Sequence, residues 1–165
     1  MRYTDQILQE FDREIQTTER VLSRVPDDKL DWRPHPRSMS LGQLAMHLAT
    51  IPRLVAAMIQ SDTFQPSLAA QPVATSRADV LHALSENSHT LRSAVGAMDD
   101  AALGEAVTFV VNGKTAATLP KTHVLRSVLL NHSYHHRGQL SVYLRELDVP
   151  VPSIYGPSAD DDPFA

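Results

Sequence analysis

The fold class that the sequence predicts is all-α, a four-helix bundle with a short hairpin or ordered loop between helices three and four, and three observations predict it. Four stretches of roughly 20 residues carry apolar residues at steps of three and four. Prolines gather in the connections between them, and one β-prone interruption centred on an Asn-Gly pair separates the third stretch from the fourth. Amphipathic helices of that length bury their stripes against one another. A chain of 165 residues lies within the usual range for one domain, so a single domain over residues 1–165 is expected.

Helix one is expected over residues 3–24, where Ile7, Phe11, Ile15, Thr18 and Leu22 recur at helical spacing and Asp12, Arg13, Glu19 and Arg20 fall largely away from them. Residues 25–40, VPDDKLDWRPHPRSMS, form a long irregular connection, because each of its three prolines biases the residue before it away from helix. Trp32, the only tryptophan, is expected to anchor that loop on the bundle.

Ser38 or Ser40 can cap helix two, which runs to about Gln60 with Leu41, Leu44, Leu48, Ile51, Val55 and Met58 on one side. Pro52 interrupts it: a proline removes one backbone donor and crowds the carbonyl of Leu48, so a kink is expected just after His47. Residues 61–75 are polar, proline-containing and weakly periodic, which predicts a crossover.

Ser76 followed by Asp79 resembles a capping box opening helix three, whose stripe is Val80, Leu84, Leu91, Val95 and Met98. Asn87 and Ser88 break the apolar pattern near its middle. Around residues 106–118, Asn112-Gly113 between β-prone residues is a signal for a two-stranded excursion or an ordered loop. Pro120 suits the first turn of helix four, which continues to about Leu147 before Pro150 and Pro152 end it. No internal repeat is visible, and the one biased segment is the acidic run ADDD near the end.

Composition excludes several chemistries. With no cysteine the chain has no disulfide, no thiolate ligand and no cysteine nucleophile, so any thiol must arrive with a substrate. A formal net charge of -4 with scattered Lys and Arg leaves no basic stripe, and nucleic acid is not an expected partner. The longest apolar stretch falls short of the ~20 residues that a membrane span needs, so no membrane partner is expected. The opening residues MRYTDQILQEFDREI lack the features of a signal peptide, and the expected location is cytoplasmic.

Eight histidines are present, three of them within His132 to His136. At about 100° per residue His132 and His136 lie about 40° apart, on the arc of Leu125, Leu129, Tyr143 and Leu147, so both imidazoles point inward. Two histidines four apart on a helix can meet one ion at Zn–N distances of ~2.0–2.1 Å. His47 sits one helical step from Leu44, Ile51 and Leu54 and edges the inward face of helix two, so three imidazoles can converge. Burying them without a partner is costly, and a shared metal ion removes that cost. Three neutral imidazoles with an open position form the pattern of a catalytic rather than a closed structural site.

The other histidines read differently. His135 lies at the margin of the inward face as a surface group or an outer contact, while His82 and His89 fall opposite the helix-three stripe, and His35 and His123 are structural or incidental. Ligating imidazoles donate their other N–H to a carboxylate or carbonyl, and Glu14, at the edge of the helix-one stripe, is the first candidate acceptor, with Gln139 and Asn87 behind it. Tyr143 can either bond a ligand or fill the core.

The stretches DWRPHPRSMSLGQLAMHLA, NHSYHHRGQLSVYLRELDVPVPS and YGPSAD together resemble the DinB-like (DNA-damage-inducible) superfamily, which includes the YfiT-like and bacillithiol-type thiol transferases and their mycothiol-dependent relatives. The resemblance spans nearly the whole chain. It rests on the tryptophan-proline loop before helix two, the histidine inside helix two, and the H-x-x-x-H-x-G-Q-L run on helix four. It implies up-down-down-up topology, a histidine triad binding a divalent metal such as zinc or nickel, and frequently a homodimer. Carried over residue by residue, the triad falls on His47, His132 and His136. Pro52 is a departure that bears on the backbone position of His47. Nothing in the sequence supports DNA repair or polymerase chemistry.

A divalent ion on three neutral imidazoles keeps its full charge, so its open position favours an anion. Three functions follow. The first, favoured by the resemblance, is a metal-dependent transferase that takes a low-molecular-weight thiol as cosubstrate and directs it at an electrophile. The second is a non-catalytic metal-binding or stress-response module, suggested by the lack of a clear general base. The third is a hydrolase using metal-held hydroxide. The substrate is expected to be a small molecule whose identity is not legible, because loops 61–75 and 106–118 carry no recognised binding motif. A homodimer is expected from the resemblance and from outward apolar residues such as Tyr134 and Val142.

Overall fold

The computed structural model describes residues 2–66 and 73–164. Helix α1 spans Tyr3–Leu22, α2 Leu41–Ile59, α3 Arg77–Gly96 and the short α4 Asp100–Gly104. The last helical run, α5, is continuous but not uniform: an α turn at Lys121–His123, a π-helical stretch at Val124–Asn131 and an α-helix at His132–Glu146. Strands β1 (Thr63–Phe64), β2 (Ala106–Val111) and β3 (Lys114–Pro120) complete the fold.

The architecture is therefore mixed, which corrects the expectation of an all-α four-helix bundle. The strands form a three-stranded sheet in the order β1-β2-β3, parallel between the first two and antiparallel between the last two. The hairpin follows from local chemistry: Asn112 and Gly113 both take positive φ, at 51° and 73°, as a two-residue turn matched to strand twist requires. Val107 is buried, and Phe109 packs its ring 6.0 Å from Phe64 of β1. β1 has only two residues, too few to leave a periodic trace in the sequence. Part of the crossover 61–75, residues 67–72, lies outside the described residues.

Helix α1 buries Ile7, Phe11, Thr18 and Leu22 as its stripe requires, with Ile15 half-buried. Helix α2 is capped by Ser40: its hydroxyl accepts the Gln43 N–H at 3.2 Å, and Gln43 Oε1 accepts the Ser40 N–H at 2.8 Å. The helix continues through buried Pro52 without a break, because its other backbone bonds and its packing against α3 and α5 hold it. By length and composition α2 alone among the described helices can cross a membrane, yet 67% of that apolar window is buried inside the fold.

The proline loop before α2 is seated as expected. The Trp32 and Leu30 carbonyls accept the Leu41 and Gly42 N–H groups at 2.8 and 2.9 Å, and the Trp32 ring meets Tyr143 edge-on at 5.5 Å. Gly42 permits the close approach, since a Cβ there would stand 3.1 Å from Leu30 Cβ. In α3, Ser76 accepts the Asp79 N–H at 3.1 Å, and Asn87 and Ser88 are buried despite being polar. The Asn87 amide donates to the Ala49 carbonyl of α2 at 3.0 Å, which accounts for that interruption of the stripe.

Candidate metal centre

Helix α2 delivers His47 from its most buried stretch, between Leu44, Leu48 and Ile51, which are each about 1% exposed. The α-helical part of α5 delivers His132 and His136 from adjacent turns of one face. Their three Nε2 atoms meet at the join of the two helices. His47 Nε2 lies 3.4 Å from His132 Nε2 and 3.1 Å from His136 Nε2, and the two histidines of α5 are 2.6 Å apart at the same atoms. The sequence-derived triad is thus one cluster, formed by residues 85 and 89 positions apart across the helix pair.

The environment disfavours charge on the two imidazoles of α5. His136 is 8% exposed and His47 9%. Burial lowers the pKa of His132, with the charges of His47 and His135 acting the same way. Burial likewise takes His136 down to about 4, although its hydrogen bond to Gln139 opposes the shift. The Gln139 Oε1 stands 2.8 Å from His136 Nδ1, so that nitrogen carries the hydrogen and Nε2 presents its lone pair to the cluster.

With all three Nε2 atoms deprotonated, their lone pairs would repel at these distances unless a cation accepted them. Ligands at ~2.0–2.1 Å from one tetrahedral ion stand roughly 3.3–3.4 Å apart. Two of the three separations, 3.4 and 3.1 Å, match that span closely, and the 2.6 Å pair belongs to one helix face, where a small ring rotation widens it. The donor set fits a divalent ion: the ligand atoms of the three histidines lie within 4.8 Å of one another.

The outer contacts differ from the sequence reading. Glu14, the first candidate for holding a ligating imidazole, instead binds Arg137. The guanidinium donates to the Glu14 carboxylate at 2.6 Å, the Glu14 carbonyl at 3.0 Å and Thr18 Oγ1 at 3.1 Å, and it also reaches the Tyr155 hydroxyl. Gln139, placed behind Glu14 in that reading, is the group that meets His136. Asn87 is committed to α2 backbone, and the Tyr143 hydroxyl donates to the Met39 carbonyl at 3.3 Å.

Arg137 is the residue that sequence reasoning missed. It is 1% exposed, the largest fully buried side chain, and its guanidinium lies 5.5 and 5.0 Å from the ring centres of Tyr134 and Tyr155. The available signal was its position beside His136 with no acid three or four residues away on its own helix, which requires a partner from another element. Tyr134, read as outward-facing, is half-buried against this arginine, while Val142 is 58% exposed. In the acidic run ADDD, Asp160 accepts the Val151 N–H at 2.9 Å and Asp161 the Ser153 N–H at 2.8 Å, which closes this segment back on the chain that follows α5. His35, His82, His89 and His123 are exposed and away from the triad, and exposed His135 packs its ring 4.9 Å from that of His136.

A model of the DinB family matches residues 1–162. Over 158 residues the chain is 26% identical to the uncharacterized protein YrdA of Bacillus subtilis (strain 168), covering 95% of this chain and 90% of that one. A DinB-like protein from Bacillus cereus ATCC 10987 superposes with a TM-score of 0.74 at 25% identity, over 90% of this chain and 95% of the other. The DinB-like protein YjoA of Bacillus subtilis shares the fold with a TM-score of 0.66 at 18% identity, over 87% and 92% of the two chains.

Proposed function

The chain belongs to the DinB family, and on that premise we propose that it holds one zinc or nickel ion on His47, His132 and His136 and activates a low-molecular-weight thiol for transfer to an electrophile. The observation that carries this reading is the meeting of three Nε2 atoms at 2.6–3.4 Å. A divalent ion on three neutral imidazoles would offer an open position whose charge favours the ionised form of a thiol. The chain's own residues prepare that chemistry. Burial holds His132 and His136 in the uncharged state that can ligate, Gln139 orients His136, and the Arg137 network ties α5 to α1. In the transfer itself the thiol S–H proton passes to water, a sulfur–carbon bond forms, and the electrophile's leaving group departs with its bonding pair.

One feature favours a second reading, a metal-binding module without turnover. The expected carboxylate, Glu14, is engaged by Arg137 and Tyr155, and Gln139 is an amide, so neither serves as a general base. Incubating the zinc- or nickel-loaded protein with a fluorogenic electrophile and a panel of low-molecular-weight thiols separates the readings. Thiol-dependent turnover that disappears in His132→Ala supports the transferase. Turnover without thiol indicates a hydrolase, and none with any thiol leaves the binding module. The proposal includes a homodimer, in keeping with the exposure of Val142, and sedimentation velocity tests it.

A further inference from the structure

The run YGPSAD follows the last helix and contributes nothing to the histidine cluster, yet its own polar groups close it into a fixed turn. The Gly156 carbonyl accepts Ser153 Oγ at 3.0 Å, the Val151 carbonyl accepts Ser158 Oγ at 2.6 Å, and Ser158 Oγ accepts the Asp160 N–H at 3.0 Å. Asp160 binds the Arg145 guanidinium of α5 as well as the Val151 N–H. Tyr155 is what this turn presents to the helices. The residue is 69% exposed, but its hydroxyl is committed: it donates to Glu14 Oε2 at 2.7 Å and accepts from the Arg137 guanidinium. Its ring covers that guanidinium at 5.0 Å and stands at 87° to the ring of Tyr134, which lies 5.5 Å from the same group.

Arg137 follows His136 directly, about 100° further around α5. On α1, Glu10, Glu14 and Thr18 stand at four-residue steps along one face. Glu10 accepts the Tyr134 hydroxyl at 3.0 Å, while Glu14 and Thr18 take the Arg137 guanidinium. The face of α5 that meets α1 thus fixes the rotation of the face that carries His136 towards His47. Small errors in that rotation matter. Turning a helix by about 10° moves an atom roughly 6 Å from its axis by about 1 Å, several times the latitude of ~0.2 Å in a metal–ligand distance. A guanidinium that is 1% exposed holds its place only while its N–H groups are met. Among the described residues, Tyr155 is the one partner of Arg137 that lies outside α1 and α5.

We infer that Tyr155 is a positioning residue for the metal centre: it fixes Arg137 on α1, and α5 thereby keeps the rotation at which His136 meets His47. This deepens the metal-centre reading and rests on it for its purpose. It also gives the YGPSAD turn a task, since the Ser153, Ser158 and Asp160 bonds set where Tyr155 stands.

The test compares the full-length wild type with Tyr155→Phe and Tyr155→Ala. Zinc affinity is measured by competition with a chromogenic chelator, and the geometry of the centre by the visible absorption bands of the cobalt(II)-loaded proteins. Tyr155→Phe keeps a ring over Arg137 and loses the hydroxyl bonds, whereas Tyr155→Ala loses both. Tyr155→Ala is expected to shift the cobalt bands and to bind zinc about 3–10-fold more weakly, less than the 10–100-fold typical of a direct partner of a ligand, because Tyr155 acts one step further out. Tyr155→Phe is expected to fall between Tyr155→Ala and the wild type. A folded Tyr155→Ala protein with wild-type zinc affinity and an unchanged cobalt spectrum overturns the inference, since a tyrosine that only adds stability moves neither. If Tyr155→Ala does not fold, the same result in Tyr155→Phe overturns it. Amide hydrogen exchange of the metal-free proteins separates this inference from the reading beneath it. Faster exchange over residues 132–138 is expected in the variants, and unchanged exchange there overturns the role of Tyr155 even where the wild type binds zinc. Failure of the wild type to bind either metal overturns the metal-centre reading instead, and the exchange then still decides whether Tyr155 holds α5.

Discussion

His47 Nε2 stands 3.1 Å from His136 Nε2, although the two residues are 89 positions apart and on different helices. That contact makes the three rings a single unit rather than three buried polar groups satisfied separately. Zinc affinity should therefore fall by more than about 100-fold for each of His47→Gln, His132→Gln and His136→Gln, whereas Gln139→Ala should cost about 10–100-fold, as an outer contact does. Isothermal titration with zinc distinguishes the two classes, and a Gln139→Ala loss as deep as the ligand substitutions would contradict the division.

The metal-free protein should lose stability on acidification. In the fold His136 takes up its proton only at about 4, against 6.5 for the unperturbed side chain, so between those values the unfolded chain binds more protons. Stability is therefore full above the unfolded value and declines as pH falls from 6.5 towards 4, by about 1–3 kcal/mol for this group. His132 shifts in the same direction. Urea midpoints measured across that window should flatten in His136→Gln, and an equally steep profile in that variant would refute the assignment.

Much of this was legible beforehand, and the failures have identifiable causes. Stripes such as Ile7-Phe11-Leu22 and Val80-Leu84-Leu91 repeat often enough to reveal a helix, and the Asn112-Gly113 turn has a steric reason that does not depend on the rest of the fold. The triad was legible because His132 and His136 share a face at any helical phase near 3.6. The third strand was not, since Thr63-Phe64 pairs with β2 across 45 residues and carries no pattern of its own. The π run was hidden by the assumption of 3.6 residues per turn; the five-residue interval between its apolar pairs was the overlooked sign. Glu14 was assigned to a histidine because helical phase gives direction but not distance, and it does not say which of two neighbouring N–H donors, Arg137 or a histidine, arrives first.

Arg137 should be the most sensitive charged position. It is 1% exposed and its main partner Glu14 is 16% exposed. Glu14→Ala leaves a buried guanidinium without its carboxylate, and the expected loss is roughly 3–5 kcal/mol in urea unfolding. Combining it with Arg137→Met should recover a large part of that loss, because the unpaired charge is then gone. A Glu14→Ala protein within about 1 kcal/mol of wild type would show that the pair carries little.

Ser88 should tolerate loss of its hydroxyl. The side chain is 1% exposed and Oγ has no hydrogen-bond partner among the described residues, beside a cavity of about 150 Å³ between α1 and α3 that Ile15, Leu84 and Arg92 also line. Ser88→Ala removes an unmet donor and should leave stability unchanged or raise it by up to ~1 kcal/mol. A decrease of more than about 1 kcal/mol in chemical unfolding would mean that the hydroxyl has a partner in solution.

The central claim is that His47, His132 and His136 act together on one cation. Elemental analysis of the purified protein, before and after loading with zinc or nickel, measures this directly when run in parallel on His47→Ala. The account expects about one divalent ion per chain in the wild type and none retained by His47→Ala. A wild-type protein that takes up no ion after loading, or a His47→Ala variant that holds it equally well, would contradict the account.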